Sequence, residues 1–522
     1  MTQEDGPRRD RTWGPAAIPA AAAIAAALLV ALPAGIPKAA DAVDPLVAAY
    51  DGAPAARAQT RALVAIRSHA HRHGVWLDGG AVPATAQRSR AAVIDLYSRY
   101  AEAVAHGQIA PAAAGMIWDI ARPGFDREAA LALLGARGLD AALDSLPPPH
   151  PGYARLVDAL AHYRALAAKG GWPAVPGGAL LKRGGSDARV RVLRRRLVAE
   201  GDMPASKIDE EAFDVELERA VVRFQRRHGL APDGIVGPRT LAELKLSVEH
   251  RIAQIITNLE RWRWLPRALP PRRVEVNIAA ATLRVVDGGR RAVGMRVVVG
   301  SPRHPTPVFS SAIRDVVINP PWNVPDSIWR REIFPALRRD PGYLASRNMR
   351  IIGRAHDPFG QEIDWPALRH APAGIRIQQS PGPSNALGRV KFHLPNRFDV
   401  YLHDTPGREA FLRPRRALSH GCIRLEKPDA LLPYLFHGRD ALPQLTSADD
   451  PGPWPTQTVP VSAPLPVFML YWTAFVAGDG AVHFRNDLYG HDRRMMAALR
   501  RPHGTPQRVR MASACPVHPP QT

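Results

Sequence analysis

Cys422 and His403 are the residues of this chain whose types and spacing could do chemistry together. The cysteine lies in the run Ser419-His420-Gly421-Cys422-Ile423-Arg424, and the histidine stands nineteen residues before it. A thiol is a good nucleophile near neutral pH only when a base takes its proton, and the oxyanion formed on attack needs hydrogen-bond donors. A histidine can serve as that base. Gly421 lets the backbone turn tightly and point successive N–H groups at the attacked carbonyl. His403, His420 and Cys422 could instead ligate zinc. No second cysteine and no obvious acidic ligand completes that set, so cysteine–histidine nucleophilic catalysis is the expectation, with no metal and no cofactor.

The elements that must hold this pair are strands. Val390-Lys391-Phe392 and Val400-Tyr401-Leu402-His403 place His403 at a strand end, and Cys422 falls on the turn leading to the next strand. Tyr401, two residues before His403, shares its strand face and is expected to line a groove. Alternation at Val274-Val276-Ile278, Leu283-Val285, Met295-Val297-Val299 and Val316-Ile318, with the turn Asp287-Gly288-Gly289, extends a sheet. An irregular segment from about 302 to 370, rich in Pro, Trp and Arg, interrupts it and contains Trp322. Val467–Tyr471 and Val482–Phe484 read as a further hairpin.

Upstream the periodicity is helical. Val93, Leu96, Tyr97 and Tyr100, then Tyr153, Leu156, Leu160 and Tyr163, recur at helical spacing within 44–175. Residues 183–247 read as three short helices with apolar stripes Val190-Leu193-Leu197 and Phe213-Leu217-Val221-Phe224. Asp233-Gly234 makes a turn there, and Pro238 opens the last helix. A helix over 248–268 ends at Arg261-Trp262-Arg263-Trp264, tryptophans expected to anchor neighbouring domains.

Composition narrows the partners. The chain has 522 residues, room for several domains, and 69 Lys+Arg against 48 Asp+Glu give a formal charge of +21. The excess favours a polyanionic partner, but no zinc-ligand array, aromatic RNA-binding motif or recognition helix supports nucleic acid. Ala16 to Ala34 is almost wholly apolar, follows Arg8, Arg9 and Arg11, and precedes the small-x-small site Ala40-Asp41-Ala42. Residues 1–42 are therefore expected to be a signal peptide or an N-terminal membrane anchor. The second of the 2 cysteines, Cys515, lies in a tail (501–522) expected to be disordered, and two distant cysteines make no disulfide framework.

Two stretches carry a family resemblance. Val400-Tyr401-Leu402-His403-Asp404-Thr405-Pro406 with Ala417-Leu418-Ser419-His420-Gly421-Cys422-Ile423-Arg424-Leu425, preceded by Gln378 to Gly388, resembles the L,D-transpeptidase (YkuD) catalytic domain. Phe224-Gln225 with Asp233-Gly234-Ile235-Val236-Gly237-Pro238-Arg239-Thr240 resembles a peptidoglycan-binding domain. Together they resemble the long, multi-domain, periplasmic L,D-transpeptidases. The resemblance implies a multidomain α+β chain: a helical scaffold (44–175), a three-helix peptidoglycan-binding domain (183–247), a linker helix (248–268), a mostly-β catalytic domain (270–445) with a cap inserted at about 302–370, and an extension (446–500).

It also implies that Cys422 attacks a donor tetrapeptide stem, releasing D-alanine and leaving a thioester that a neighbouring stem's amine resolves as a 3→3 cross-link. His403 would be general base and acid; the N–H groups of His420, Gly421 and Cys422 would hold the oxyanion; Tyr401, Ser419, Arg424 and Trp322 would contact substrate. Carbapenem-type inhibitors, peptidoglycan stems as partners, and attachment to the inner membrane belong to the same expectation. An L,D-carboxypeptidase using water, or a wall-binding scaffold without activity, remains open. Asp404 follows the histidine where shorter members often carry Ser or Gly, which leaves the group that orients His403 unassigned.

Overall fold

The computed structural model describes residues 53–77, 89–205, 207–353, 363–436, 443–447, 449 and 453–501. The expected export segment 1–42, Cys515 and the tail beyond Arg501 lie outside them. Among the described residues no helix is long and apolar enough to cross a membrane.

Helices Ala53–Arg72, Arg90–His106, Arg127–Arg137, Leu139–Ser145 and Pro151–Ala168 make up the N-terminal region. Ser89 and Asp126 cap two of them by accepting the N–H of Ala92 and Ala129. The stripe Val93, Leu96, Tyr97, Tyr100 and Val104 is buried against Ile66 and Leu134. This region also supplies a strand that periodicity did not reveal, β1 (Trp118–Asp119), paired in parallel with Val308 and Phe309 of the large sheet.

Helices Arg189–Ala199, Val215–Arg227 and Pro238–Leu244 form the second unit. Its sequence pattern has a physical cause. The buried Gln225 amide donates to the Asp233 carboxylate (2.7 Å) and the Ile235 carbonyl (2.9 Å), and its oxygen accepts the Gly234 N–H (2.9 Å). One side chain thereby fixes the whole Asp-Gly turn.

Helix Val248–Arg263 is more than the expected linker. Arg251, Gln254, Asn258, Glu260, Arg261 and Arg263 on it are all buried. Arg251 pairs with Glu243 and Arg263 with Glu260, each at 2.7 Å, and Arg261 reaches Asp492. Gln254 and Asn258 bond Thr473 and the Arg485 carbonyl. Stranding any one of these charges by removing its partner would cost about 3–5 kcal/mol. Trp264 donates to the Ile109 carbonyl (3.0 Å), and Trp262 stacks on Trp472 at 4.5 Å. The helix and its tryptophans lock the helical region to the sheet region.

The region from Arg273 onward is a closed sheet. Its strands are β2 (Arg273–Asn277), β3 (Thr282–Asp287), β4 (Arg290–Gly300), β5 (Val308–Ile318), β9 (Val390–His393), β10 (Leu402–His403), β11 (Ala417–Ser419), β12 (Ile423–Leu425) and β13 (Gln457–Leu470). The order β5-β13-β2-β3-β4-β12-β10-β9 returns to β5 through the β5–β9 pairing, and β11 pairs with β4. Closure pairs each of these eight strands on both sides and leaves only the short strands β1 and β11 paired on one side. Inward residues including Val276, Leu283, Val297, Ile313, Phe392, Leu402, Ile423, Leu425 and Met469 fill the interior.

Two expected boundaries change. Residues 446–500 are not an appendage: β13 is central, parallel to β2 and antiparallel to β5, because Val467 and Met469 belong to the barrel core. The hairpin partner of Val482–Phe484 is Ala474–Val476 instead of Val467–Tyr471. The insertion likewise does not begin near 302, since β5 is a full barrel strand. It is the later unit β6 (Trp322–Asn323), a π turn Trp329–Ile333, helix Phe334–Arg339, β7 (Met349–Gly353) and β8 (Ile375–Gln379), with order β6-β8-β7 and its own core of Trp329, Ile333, Phe334, Leu337, Ile375 and Ile377.

Candidate active site

Cys422 sits between β11 and β12 on a turn whose own side chains set its shape. The Ser419 hydroxyl donates to the Cys422 carbonyl (2.6 Å) and accepts the Gly421 N–H (3.1 Å). Thr306 donates to the Gly421 carbonyl (2.7 Å) while accepting the Gly300 N–H (2.9 Å). Gly421 has φ +124°, a region closed to residues with a Cβ. β12 then runs parallel to β10, with Leu402 opposite Ile423 and His403 opposite Arg424. The nucleophile candidate, on the turn entering β12, and the base candidate, on β10, are thus brought side by side although nineteen residues separate them.

These bonds alter two expectations. Ser419, expected to contact substrate, is buried and spends its hydroxyl on the turn backbone, which makes it a turn-forming residue. The Gly421 N–H is already engaged by that hydroxyl, which removes it from the free oxyanion donors. The N–H groups of His420 and Cys422 donate to no protein acceptor among the described residues. The His420 side chain pairs with Glu332 of the inserted unit at 2.6 Å and packs on His304 at 4.5 Å.

His403 is buried, and its Nδ1 donates to the carbonyl of Asp404 at 2.5 Å. That bond answers what orients the imidazole: it fixes the proton on Nδ1 and leaves the Nε2 lone pair free. Asp404 itself cannot swing. Its carboxylate accepts the Arg389 N–H (3.0 Å) and Nε (3.1 Å) and pairs with Arg408 at 2.5 Å, and its own N–H donates to Val390. Gly388 lies against the Asp404 side chain so closely that a Cβ would come within 2.6 Å of its Cγ.

The thiol is half-buried and donates to the Asp399 carbonyl at 3.6 Å. Asp399 is held in the left-handed region (φ +52°), a costly conformation for a non-glycine residue that aims this carbonyl at sulfur. Burial pushes the Cys422 thiol up from its ordinary value, while the Tyr401 N–H and phenol and the nearby Lys391 act the other way. Burial, with Arg424 and Lys391 adding to it, pulls His403 down to about 3. Both shifts favour the uncharged forms, thiol and neutral imidazole.

Of the remaining candidates, Tyr401 packs edge-on against His403 at 5.6 Å and its phenol meets both Cys422 and Trp322. Arg424 faces the pair from β12. The structure thus brings together Cys422, His403, Tyr401, Trp322, Arg424 and His420. Sequence reading missed Lys391, Asp399 and Thr306. Lys391 had no signal of its own, because its place opposite His403 follows from the β9–β10 register (His403 opposite Lys391) and not from local pattern. Among the described residues no group of three or more His, Cys, Asp or Glu side chains has metal-holding geometry.

Residues 271–440 match the YkuD family, described as the L,D-transpeptidase catalytic domain, and so contain the Cys422 turn, β10 and the inserted unit. Over these residues the chain is similar to an L,D-transpeptidase catalytic domain. Residues 186–244 match a putative peptidoglycan-binding domain and residues 55–160 a scaffold domain. A putative L,D-transpeptidase of Haemophilus influenzae is 34% identical over 256 residues, 48% of this chain and 51% of that protein. The chain thus matches about half the length of that relative. The N-acetylmuramoyl-L-alanine amidase CwlL of Bacillus licheniformis is 36% identical over 63 residues, 12% of this chain and 18% of that protein. The crystal structure of an L,D-transpeptidase from Xylanimonas cellulosilytica aligns over 56% of this chain and 98% of that one, at 17% identity and a TM-score of 0.19.

Proposed function

We propose that this multidomain chain is an L,D-transpeptidase of the cell envelope that forms 3→3 peptidoglycan cross-links. The observation that carries the reading is the paired placement of Cys422 and His403. A turn locked by Ser419 and Thr306 presents the thiol, and on the adjoining strand the Asp404 carbonyl holds the imidazole with Nε2 unprotonated.

In this reading His403 Nε2 takes the thiol proton as sulfur attacks the carbonyl of the third residue of a donor tetrapeptide. The N–H groups of His420 and Cys422 receive the oxyanion, each worth roughly 3–4 kcal/mol to such an intermediate. The C–N bond breaks, the imidazolium protonates the departing D-alanine amine, and a thioester remains. A side-chain amine of a second stem then attacks the thioester carbon, the C–S bond breaks, and the amine's proton passes through His403 to the Cys422 sulfur, closing the cross-link and restoring the thiol. Trp322 and Tyr401 line the groove, Arg424 is placed for a substrate carboxylate, and the inserted unit covers the turn through Glu332 and limits water at the thioester. Residues 183–247 bind the wall, residues 1–42 direct export to or anchoring in the periplasm, and carbapenem-type inhibitors acylate Cys422.

Incubating the full chain with a disaccharide tetrapeptide and weighing the products tests this. A cross-linked dimer with loss of D-alanine is expected, and C422A should form none. Tripeptide without dimer would make the enzyme an L,D-carboxypeptidase. Dimer formation by C422A would end the mechanism.

A further inference from the structure

Three residues lie in one row across the barrel wall beside the thiol. In the register of β9, β10 and β12, Lys391 is opposite His403 and His403 is opposite Arg424. Directly opposed residues on paired strands share a face, so both cations flank the imidazole. Lys391 is half-buried and extends over Tyr401, with its ammonium 4.3 Å from the ring centroid. That ring is the one whose phenol meets Cys422. Among the described residues no carboxylate lies at ion-pair distance from Lys391. Asp315, the acid on neighbouring β5, is bonded instead to His393 at 2.9 Å. A half-buried ammonium with no carboxylate at ion-pair distance, and only the more distant Asp315 and Asp399 acting on it, is costly to keep, and the aromatic face offsets only part of that cost. Its surroundings contain one group that becomes an anion during the reaction, the sulfur of Cys422.

We propose that Lys391 is a positioning residue of the Cys422–His403 pair: its ammonium, held over the Tyr401 ring on the strand beside His403, stabilises the sulfur anion as the thiol proton leaves for the imidazole. The inference rests on Cys422 being the nucleophile. The proton moves from sulfur to His403 Nε2, the S–H electron pair becomes the S–C bond, and the same proton leaves on the departing amine. Lys391 keeps its own proton throughout. Because Lys391 and Arg424 both oppose charge on the imidazole, they also make the imidazolium a readier acid for that last transfer. The charged and titratable groups around the sulfur are Lys391 from β9, Asp399 and Tyr401 from the segment entering β10, His403 on β10 and Arg424 on β12. Asp315 on β5 and Glu409 face the two cations from outside.

The test is the rate of Cys422 alkylation by uncharged iodoacetamide from pH 6 to 10 in the full chain, read by mass spectrometry on the Cys422 peptide so that Cys515 does not contribute. K391Q should slow alkylation at pH 8 about tenfold and move the profile up by about one pH unit. K391R should stay within about threefold of the parent. Donor turnover by K391Q should fall in kcat with KM unchanged. An alkylation profile of K391Q that superimposes on the parent overturns the proposal, and a raised KM beside it would make Lys391 a substrate contact instead. K391M serves the same comparison should K391Q fail to fold. Cross-linking that survives in C422A would instead refute the nucleophile assignment, whatever Lys391 does.

Discussion

Burial drives the protonation states of Cys422 and His403 in opposite directions, and both shifts favour the uncharged form. The thiol is raised and the imidazole is lowered to about 3, so a resting thiolate–imidazolium pair is disfavoured on both sides. The consequence is visible in chemistry that needs no substrate. Below a raised thiol pKa the thiolate fraction grows about tenfold per pH unit, so iodoacetamide alkylation of Cys422 should climb steadily from pH 6 to 9 without a plateau. An ion pair would instead give a plateau starting below pH 6 and extending through neutrality. For the same reason the acid limb of kcat/KM should lie near pH 3 and not near the ordinary histidine value of 6.5. An inflection at pH 6–7 in either profile would show that the imidazole titrates normally.

At the scale of elements, the loop from Gln379 to Arg389 acts on the site through Asp404. Buried Gln379 and Asn385 pin it: the Gln379 amide accepts the Ala386 N–H, and Asn385 donates to the carbonyls of Gln379 and Ser380. The pinned loop delivers Gly388, at φ +62°, against the Asp404 side chain and lets Arg389 clamp the carboxylate. Gly388→Ala should therefore lose about 1–3 kcal/mol of stability and, by moving the Asp404 carbonyl from His403, at least tenfold in kcat. Gly374 makes the comparison. It also has positive φ (+80°), but its Cβ would meet nothing within 4 Å, so G374A should cost stability alone. Equal activity losses in both variants, measured beside thermal unfolding, would show that Gly388 acts only through backbone strain. This clamp marks where sequence reading stopped. The Cys422 turn, the His403 strand and the Gln225 turn were legible because each is local, with a nucleophile, a glycine or a cap at fixed offsets. Asp404 as a clamped hinge, Lys391 beside the thiol and β13 inside the barrel depend on which strands pair, and periodicity of two is the same whichever neighbour a strand takes. The insertion was mis-started for a similar reason: prolines near 302–307 resemble a loop boundary, while the strand after them belongs to the barrel.

At the scale of the molecule, the units meet through buried polar groups, and histidines recur at those seams. His73 bonds the Tyr153 hydroxyl (3.0 Å) beneath Arg263, His228 stacks between Phe224 and Phe484 where the three-helix unit meets the hairpin, and His491 caps the space between Ala114 and the last helix. Arg227 and Arg485 tie the same seam, donating to the carbonyls of Val482 and Arg227. Burial and neighbouring arginines lower every one of these imidazoles, and that of His483 on the hairpin strand beside Phe484: His73 to about 3, His483 and His491 to about 4, and His228 well below its ordinary value. A folded pKa below the unfolded one means that the unfolded chain binds the proton more tightly. The stability these groups contribute is complete above pH 6.5 and is lost as pH falls toward 3–4. For a group lowered as far as His73 or His403, the loss at pH 5 is about 2 kcal/mol. Asp202 and Asp492, whose carboxyls burial raises, act in the opposite sense and offset part of it. Thermal unfolding of the full chain should thus show Tm constant from pH 8 to 7 and falling by several degrees from pH 6.5 to 5. His228→Gln removes one seam imidazole without adding an ionisable group, and it should shallow that fall even if it lowers Tm at pH 8. A Tm that holds steady down to pH 5 would mean that these histidines open to water before the fold does, and that the seams are weaker than their buried arginines make them look.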